Sequence, residues 1–386
     1  MSESEASITP PKQEVQVPEK NTVERLNWIL RSLGRVTRRS RIPHEEKNVS
    51  RPISLRTKRA ELLKKIKGND SDVRRRVIAE ARARDEIASQ YLNQGEVPVN
   101  HPKYGELKAR FTMIEPPKSR KSLEEGSKPP IFLIPGIGND IDCVGTLAQE
   151  LPFEGRSVIV VGYPESVMGT TTEKFAQAVE ASDDYGPHTD FYKEAINSLL
   201  GEKGEFELWG FSTGAPISAE ILTDPEFQKR VTDAVYLSPA SAVEQKIPQL
   251  MVNSAMEIKK IAKKFSTLGK YTLTSGIILG GRGRSEDYTP VEKGERKLKK
   301  KVIDSLTKKV AAVSSAYGQE KVKEGGSIVV VSGDEDDVVR SRFAKERFGN
   351  NPLVKFLNIV GGSHATPLTE PEKVLPKIFE TQKKRD

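Results

Sequence analysis

The segment EFELWGFSTGAP, at residues 205–216, places Ser212 midway between Gly210 and Gly214. A serine hydroxyl is a weak nucleophile at neutral pH unless a neighbouring base takes its proton. Glycines two residues before and after a serine leave the backbone almost bare, as a sharp turn from a strand into a helix requires. Because this pattern also arises by chance in long chains, the surrounding residues must decide whether Ser212 is a nucleophile.

Histidine is the most common base for such a serine, and the chain contains four. Three of them precede Ser212 in the sequence: His44, His101 and His188. His364 follows it, in the segment IVGGSHATP directly after an apolar run. A loop at that position can return to the carboxyl edge of a sheet, so we predict that His364 is the general base.

A catalytic histidine needs a carboxylate that fixes its tautomer. Three aspartates follow another apolar run, in the segment VVVSGDEDDVV: Asp334, Asp336 and Asp337. The chain therefore presents a serine, an acid and a histidine in that order, each just past a strand candidate. The residues alone leave all three aspartates open as the acid.

Short apolar runs rich in β-branched residues alternate with helical patterns from about residue 105 onward. The strand candidates are 106–114, 130–136, 157–164, 206–211, 231–238, 327–333 and 353–362. The helix candidates are 141–151, 191–200, 214–228, 340–348 and 370–382. Several of the runs are continuously apolar, which is typical of strands buried on both faces. The alternation predicts an α/β fold with a mostly parallel sheet flanked by helices.

The stretch at about 241–318 is too long for a simple crossover between two strands, and its spacing is helical. We interpret it as an inserted helical subdomain. Its apolar residues could line an acyl pocket or pack the insertion onto the core; they are Leu250, Met251, Met256, Ile258, Ile261 and Phe265.

Four pieces of the chain together resemble the α/β-hydrolase superfamily: FLIPGIGND, GFSTG, GDEDDVV and the loop that carries His364. The resemblance covers roughly residues 105–240 and 320–386. It implies the α/β-hydrolase fold and an esterase-, lipase- or thioesterase-like serine hydrolase with a Ser-His-Asp triad and no cofactor. It also implies a core in two parts, 105–240 and 319–386, with a helical cap at 241–318 over the active site.

The resemblance also implies roles for individual residues. The acid of the family usually stands three residues after a glycine, which selects Asp336 after Gly333, with Asp334 as the next choice. The backbone N–H groups of Ile137 and Thr213 would form the oxyanion hole. Pro135 stands where many members of the family have a histidine, so a side chain that can brace this loop is missing here.

Residues 1–100 are predicted to be a basic, helical and partly disordered N-terminal extension, with helical spacing at 22–39 and 71–92. The net charge of the chain is +8, whereas residues 35–67 alone hold twelve Lys or Arg against three Glu. Such a segment could bind an anionic membrane surface through residues 22–67, or it could be a solvated face. Nucleic acid is a weaker candidate because few aromatic side chains are present for stacking. A non-catalytic binding or scaffold protein that uses this arm is the alternative to the hydrolase.

Other patterns exclude further classes of function. The segment GIGNDI has Ile141 where a dinucleotide fingerprint needs its third glycine, and GGRGRS lacks a Walker lysine. No histidine pair or Cys/His cluster has metal-ligand spacing, so no metal is expected. Cys143 is the single cysteine, and we find neither a secretory signal nor a membrane-spanning run. These features predict a soluble cytoplasmic protein whose oligomeric state stays open.

Overall fold

The computed structural model describes residues 92–116, 128–137, 144–166, 169–264, 290–348 and 351–383. The chain divides into the units Met1–Lys47 and Asn48–Asp386, and every described residue belongs to the second unit. The predicted helix at 22–39 and the basic segment 35–67 lie outside the described residues, as does the predicted helix at 71–92 apart from its last residue.

The described residues form eight strands and a series of helices. The strands are β1 (Leu92–His101), β2 (Gly105–Ile114), β3 (Ile131–Ile134), β4 (Val158–Val161), β5 (Phe206–Phe211), β6 (Val231–Leu237), β7 (Ile328–Gly333) and β8 (Val354–Ile359). The helices are α1 (Gly145–Glu150), α2 (Glu173–Ala181), α3 (Gly186–Leu200), α4 (Gly214–Ile221), α5 (Pro225–Gln228), α6 (Ile247–Lys264), α7 (Pro290–Ala311), α8 (Ser341–Phe348), α9 (Thr366–Thr369) and α10 (Leu375–Lys383).

All eight strands belong to one sheet, in the order β1-β2-β4-β3-β5-β6-β7-β8. The six strands from β4 to β8 in this order run parallel, and β2 joins β4 in the antiparallel sense. Strands β3, β4 and β7 are buried at every residue, as their apolar runs IFLI, VIVV and IVVV predict. The predicted α/β architecture is therefore confirmed.

Helices cover both faces of the sheet, and each face has its own apolar core. On one face, Phe175 of α2, Ile196 of α3 and Ile217 of α4 are fully buried. On the other face, Leu147 of α1 and Ile378 of α10 are fully buried. The carboxyl ends of the parallel strands share one edge of the sheet, and the loops that leave this edge carry the site described below.

The predicted boundary of the N-terminal extension at residue 100 is wrong, because Leu92–His101 is the edge strand β1 of the sheet. It pairs antiparallel with β2 along its whole length, from Leu92 opposite Ile114 to His101 opposite Gly105. Val97 and Val99 alternate into the core on either side of Pro98. A residue without an N–H is tolerated on an edge strand, so Pro98 does not interrupt this pairing.

Two long helices, α6 and α7, stand between β6 and β7 in the chain, within the stretch predicted to be an inserted cap. The apolar residues of this stretch differ in exposure: Leu250 is buried in the core, whereas Met251 is 46% exposed. The side chains of Ile258, Ile261 and Phe265 lie outside the described residues. Within the described ranges, no helix has the length and apolar character needed to cross a membrane.

Candidate active site

Ser212 occupies the turn between β5 and α4 and has the positive backbone dihedral φ of 51°. This left-handed conformation is unfavourable for a residue with a Cβ atom, so the surrounding structure has to hold it in place. The N–H of Ser212 donates to the carbonyl of Leu237 at 2.9 Å, and its own carbonyl accepts from the N–H of Ala240 at 3.0 Å. The side chain is half-buried at the carboxyl edge of the sheet.

The two glycines of the motif are required by close backbone contacts around this turn. A Cβ atom on Gly210 would lie 2.4 Å from the carbonyl oxygen of Gly214. A Cβ atom on Gly214 would lie 2.2 Å from the carbonyl oxygen of Ile134 and 2.8 Å from that of Pro135. Any side chain at either position would therefore push α4 away from β5 and β3, and the turn that presents Ser212 would open.

His364 lies in the loop after β8 and forms hydrogen bonds through both ring nitrogens. Its Nε2 atom is 3.1 Å from the Oγ atom of Ser212, and its Nδ1 atom is 2.9 Å from the Oδ2 atom of Asp336. A carboxylate only accepts, so Nδ1 carries the proton and donates it to Asp336. The Nε2 lone pair is then directed at the serine hydroxyl, as the base of a nucleophilic serine must be.

Asp336 is the aspartate that the fold brings to His364. It is 3% exposed, and its second oxygen, Oδ1, accepts hydrogen bonds from the N–H groups of Val338 and Val339 at 2.8 and 2.7 Å. Asp334 is exposed and accepts a hydrogen bond from the N–H of Gly361 instead. Among the three candidate acids, the contact with the histidine ring therefore belongs to Asp336.

A close contact between two loops explains why Asp336 and His364 meet. A Cβ atom on Gly333, at the end of β7, would lie 2.0 Å from the carbonyl oxygen of Gly362. The N–H of Glu335 donates to the same oxygen at 2.8 Å. The absence of a side chain at Gly333 thus allows the acid loop to lie directly against the histidine loop.

The protonation equilibrium of His364 responds to opposing influences. Burial lowers the pKa of the imidazole, but the charge and hydrogen bond of Asp336 and the charge of Glu257 raise it, so the pKa stands above its ordinary value. Glu257 is on α6, within the predicted cap, and is 3% exposed. The sequence offered no signal for this carboxylate, because helical spacing alone does not say which residue of a cap faces the histidine.

The loop after β3 reaches the same edge of the sheet as Ser212. Ile137 is half-buried in this loop, and Thr213, the residue after Ser212, is fully buried. The hydroxyl of Tyr163 donates to the carbonyl of Pro135 at 2.8 Å. Tyr163 therefore braces this loop at Pro135. No pattern in the sequence pointed to Tyr163, which comes just after β4 in the segment VVGYP.

The other described histidines are placed elsewhere. His188, on α3, is fully buried, with its Nε2 atom 3.1 Å from the Oε1 atom of Glu165. His101 ends β1 and stacks on the ring of Tyr104, with 4.3 Å between the ring centroids. His44 lies outside the described residues. In the part of the chain that the structure describes, no three His, Cys, Asp or Glu side chains are grouped so that they could hold a metal ion.

The sequence matches no protein-family model, and no curated protein is significantly similar to it. Solved structures are similar in fold. A protein assigned as an aryl esterase from Burkholderia cenocepacia superposes with a TM-score of 0.52 and 14% identity, over 75% of this chain and 99% of its own. A protein assigned as a lipase from Acinetobacter baumannii AYE gives a TM-score of 0.52 and 14% identity, over 79% and 94% of the two chains.

A third similar structure is the serine hydrolase CarC, which is involved in carbazole degradation; its TM-score is 0.51, with 13% identity over 75% of this chain and 98% of its own. The sheet order, the helices on both faces and the serine turn after β5 agree with this similarity. The described part of the chain has the α/β-hydrolase fold.

Proposed function

We propose that this protein is a serine hydrolase that cleaves a carboxylic ester, thioester or amide through Ser212, His364 and Asp336. The observation that carries the proposal is the continuous set of hydrogen bonds from Asp336 through His364 to the hydroxyl of Ser212. These side chains come from three separate loops, and each has the partner that its role requires. The similar structures named as an esterase, a lipase and a serine hydrolase agree with the proposal.

In the acylation half of the reaction, the Oγ atom of Ser212 attacks the carbonyl carbon of the substrate as its proton passes to Nε2 of His364. Asp336 stabilises the imidazolium that forms, since its Oδ2 atom accepts the Nδ1 hydrogen bond. The proton on Nε2 then passes to the leaving group, the bond between carbonyl carbon and leaving group breaks, and an acyl-Ser212 ester remains.

In the deacylation half, a water molecule gives one proton to Nε2 of His364 and its oxygen attacks the acyl carbon. The bond to Oγ breaks, Ser212 recovers the proton, and the carboxylic acid leaves. In both halves the N–H groups of Ile137 and Thr213 would donate to the carbonyl oxygen as it becomes negative. Two such donors typically stabilise the transition state by several kcal/mol. Tyr163 would keep the first of them in position through Pro135.

Labelling with a fluorophosphonate probe tests the proposal, because the probe reacts with activated serines before any substrate is known. We expect the wild-type protein to be labelled on Ser212 and to hydrolyse short p-nitrophenyl esters. The variant Ser212→Ala should lose both the label and the hydrolysis while it keeps its circular dichroism spectrum. Ser341→Ala is the matched control, since this serine binds Asn358 and lies outside the proposed triad.

Two results would overturn the proposal. One is a label on a different residue of the wild-type chain. The other is unchanged esterase activity in purified Ser212→Ala. Parallel assays with a thioester and an anilide of the same acyl group would show which of the three carbonyl classes is cleaved fastest.

A further inference from the structure

A carboxylate from the cap helix α6 lies against the loop that carries His364. The Oε1 atom of Glu257 accepts a hydrogen bond from the N–H of Ala365 at 3.4 Å, and Ala365 directly follows His364. Glu257 is 3% exposed. Residues 247–264 form α6 far from His364 in the sequence, so this contact joins the cap helix to the histidine loop only in the folded chain.

The other oxygen of this carboxylate is also buried. Oε2 of Glu257 has no hydrogen-bond partner among the described residues. A buried carboxylate without full hydrogen bonding is costly unless a positive charge is nearby. The imidazolium of His364, which would form transiently in each half of the reaction, would supply such a positive charge.

The groups around His364 support this connection. Asp336 and Glu257 are the charged groups that act on the imidazole in the described part of the chain, and both raise its pKa against the effect of burial. The ring of Phe211, whose centroid is 5.5 Å from that of His364, is uncharged. Ser212, at Nε2, is polar but uncharged. Among these groups, Glu257 is therefore the one carboxylate besides Asp336.

On the basis of the proposed hydrolase function, we propose that Glu257 is a positioning residue: it anchors the cap helix on the histidine loop and stabilises the protonated form of His364. Asp336 acts on the ring by direct contact, whereas Glu257 acts through its charge and through the backbone of Ala365. The position of α6 and the basicity of His364 are then coupled, because movement of α6 away from the histidine loop would also remove the charge of Glu257.

Proton NMR titration of the histidine ring tests the proposal without any need for turnover. The chain has four histidines, and the variant His364→Asn identifies the resonance of His364. We expect the pKa of His364 to fall in Glu257→Gln, since the charge is lost while the size of the side chain is kept. It should return toward the wild-type value in Glu257→Asp. Glu320→Gln is the matched control: Glu320 is also a buried carboxylate, at 2% exposure, but it does not act on His364.

Enzyme kinetics supply the second measurement. In Glu257→Gln the acidic limb of kcat/KM should move to lower pH, because a weaker base is deprotonated at lower pH. The plateau of kcat should fall by far less than the about 10⁴-fold expected when the histidine cannot accept the serine proton. An unchanged pKa of His364 in Glu257→Gln, or an equal fall in Glu320→Gln, would overturn the proposal. The expected fall in the pKa of His364, in a protein that neither hydrolyses esters nor reacts with fluorophosphonate, would refute the proposed function. It would still establish the effect of Glu257 on the ring.

Discussion

Replacement of Asp336 by Asn should damage the proposed catalysis far more than it damages the fold. Oδ1 of Asp336 accepts hydrogen bonds from two backbone N–H groups, those of Val338 and Val339. The asparagine oxygen is the only atom of the new amide that can accept these bonds, so it has to take the Oδ1 position. The amide NH₂ group must then face Nδ1 of His364, where Oδ2 stood.

This fixed orientation reverses the tautomer of the histidine. An NH₂ group donates, so Nδ1 of His364 has to accept and the ring proton moves to Nε2. Nε2 then faces the hydroxyl of Ser212 as a donor and cannot take its proton. In triads of this kind the wrong tautomer lowers kcat about 10⁴-fold, which corresponds to about 5 kcal/mol of transition-state stabilisation. The free energy of unfolding should change much less, because both backbone hydrogen bonds survive.

The assay is kcat on a short p-nitrophenyl ester, measured on the plateau of the pH profile for wild type, Asp336→Asn and Asp334→Asn. Asp334 is the matched control, since it is two residues away and binds the N–H of Gly361 rather than the histidine. We expect kcat of Asp334→Asn to stay within about tenfold of wild type, because a surface substitution away from the site changes little. If Asp334→Asn loses more activity than Asp336→Asn, the acid has been assigned to the wrong residue.

Two further predictions concern stability and the N-terminal region. Burial raises the pKa of Glu220 to about 7, although it accepts hydrogen bonds from Tyr185 and Thr189. The folded state therefore holds this proton more tightly than the unfolded state, and its contribution to stability, present below about pH 4.5, is lost as the pH rises through about 7. In urea unfolding, this group should make the free energy of unfolding of the wild type fall by roughly 2–3 kcal/mol between pH 5 and pH 8. Glu220→Gln should lack this fall, and an equal pH dependence in both proteins would contradict the prediction. Deletion of residues 1–70 should spare turnover of a small ester and, if the arm binds lipid, abolish flotation with anionic vesicles at low salt; loss of turnover in a folded truncation would contradict the separation of arm and site.

Much of the fold follows from local patterns in the sequence. Strands β3, β4 and β7 contain short apolar runs rich in β-branched residues, so burial on both faces could be predicted from the sequence alone. Strand β1 could not, because an edge strand needs only alternate apolar residues. Val97 and Val99 satisfy that requirement on either side of Pro98, and the pairing with β2 shows that the segment is a strand.

The candidate site divides in the same way. Ser212 and His364 could be selected from the sequence, since a glycine-flanked serine directly after a strand and a histidine after the last strand are typical of a nucleophile and its base. The fold brings these residues, separated by 152 positions, to 3.1 Å. Their catalytic roles, together with those of Ile137 and Thr213, stay predictions that the experiments above address.

The sequence by itself determined which residue types stand at the ends of the strands, because that depends on the spacing of neighbours along the chain. Only the tertiary structure decided which side chain braces Pro135 and which residue of α6 acts on the ring, and it brought to the histidine the aspartate that the glycine-plus-three pattern had favoured. Asp336, Tyr163 and Glu257 have these positions through loop contacts and helix packing over long separations in sequence. A local pattern does not fix such contacts, since their geometry exists only after the loops have packed against one another.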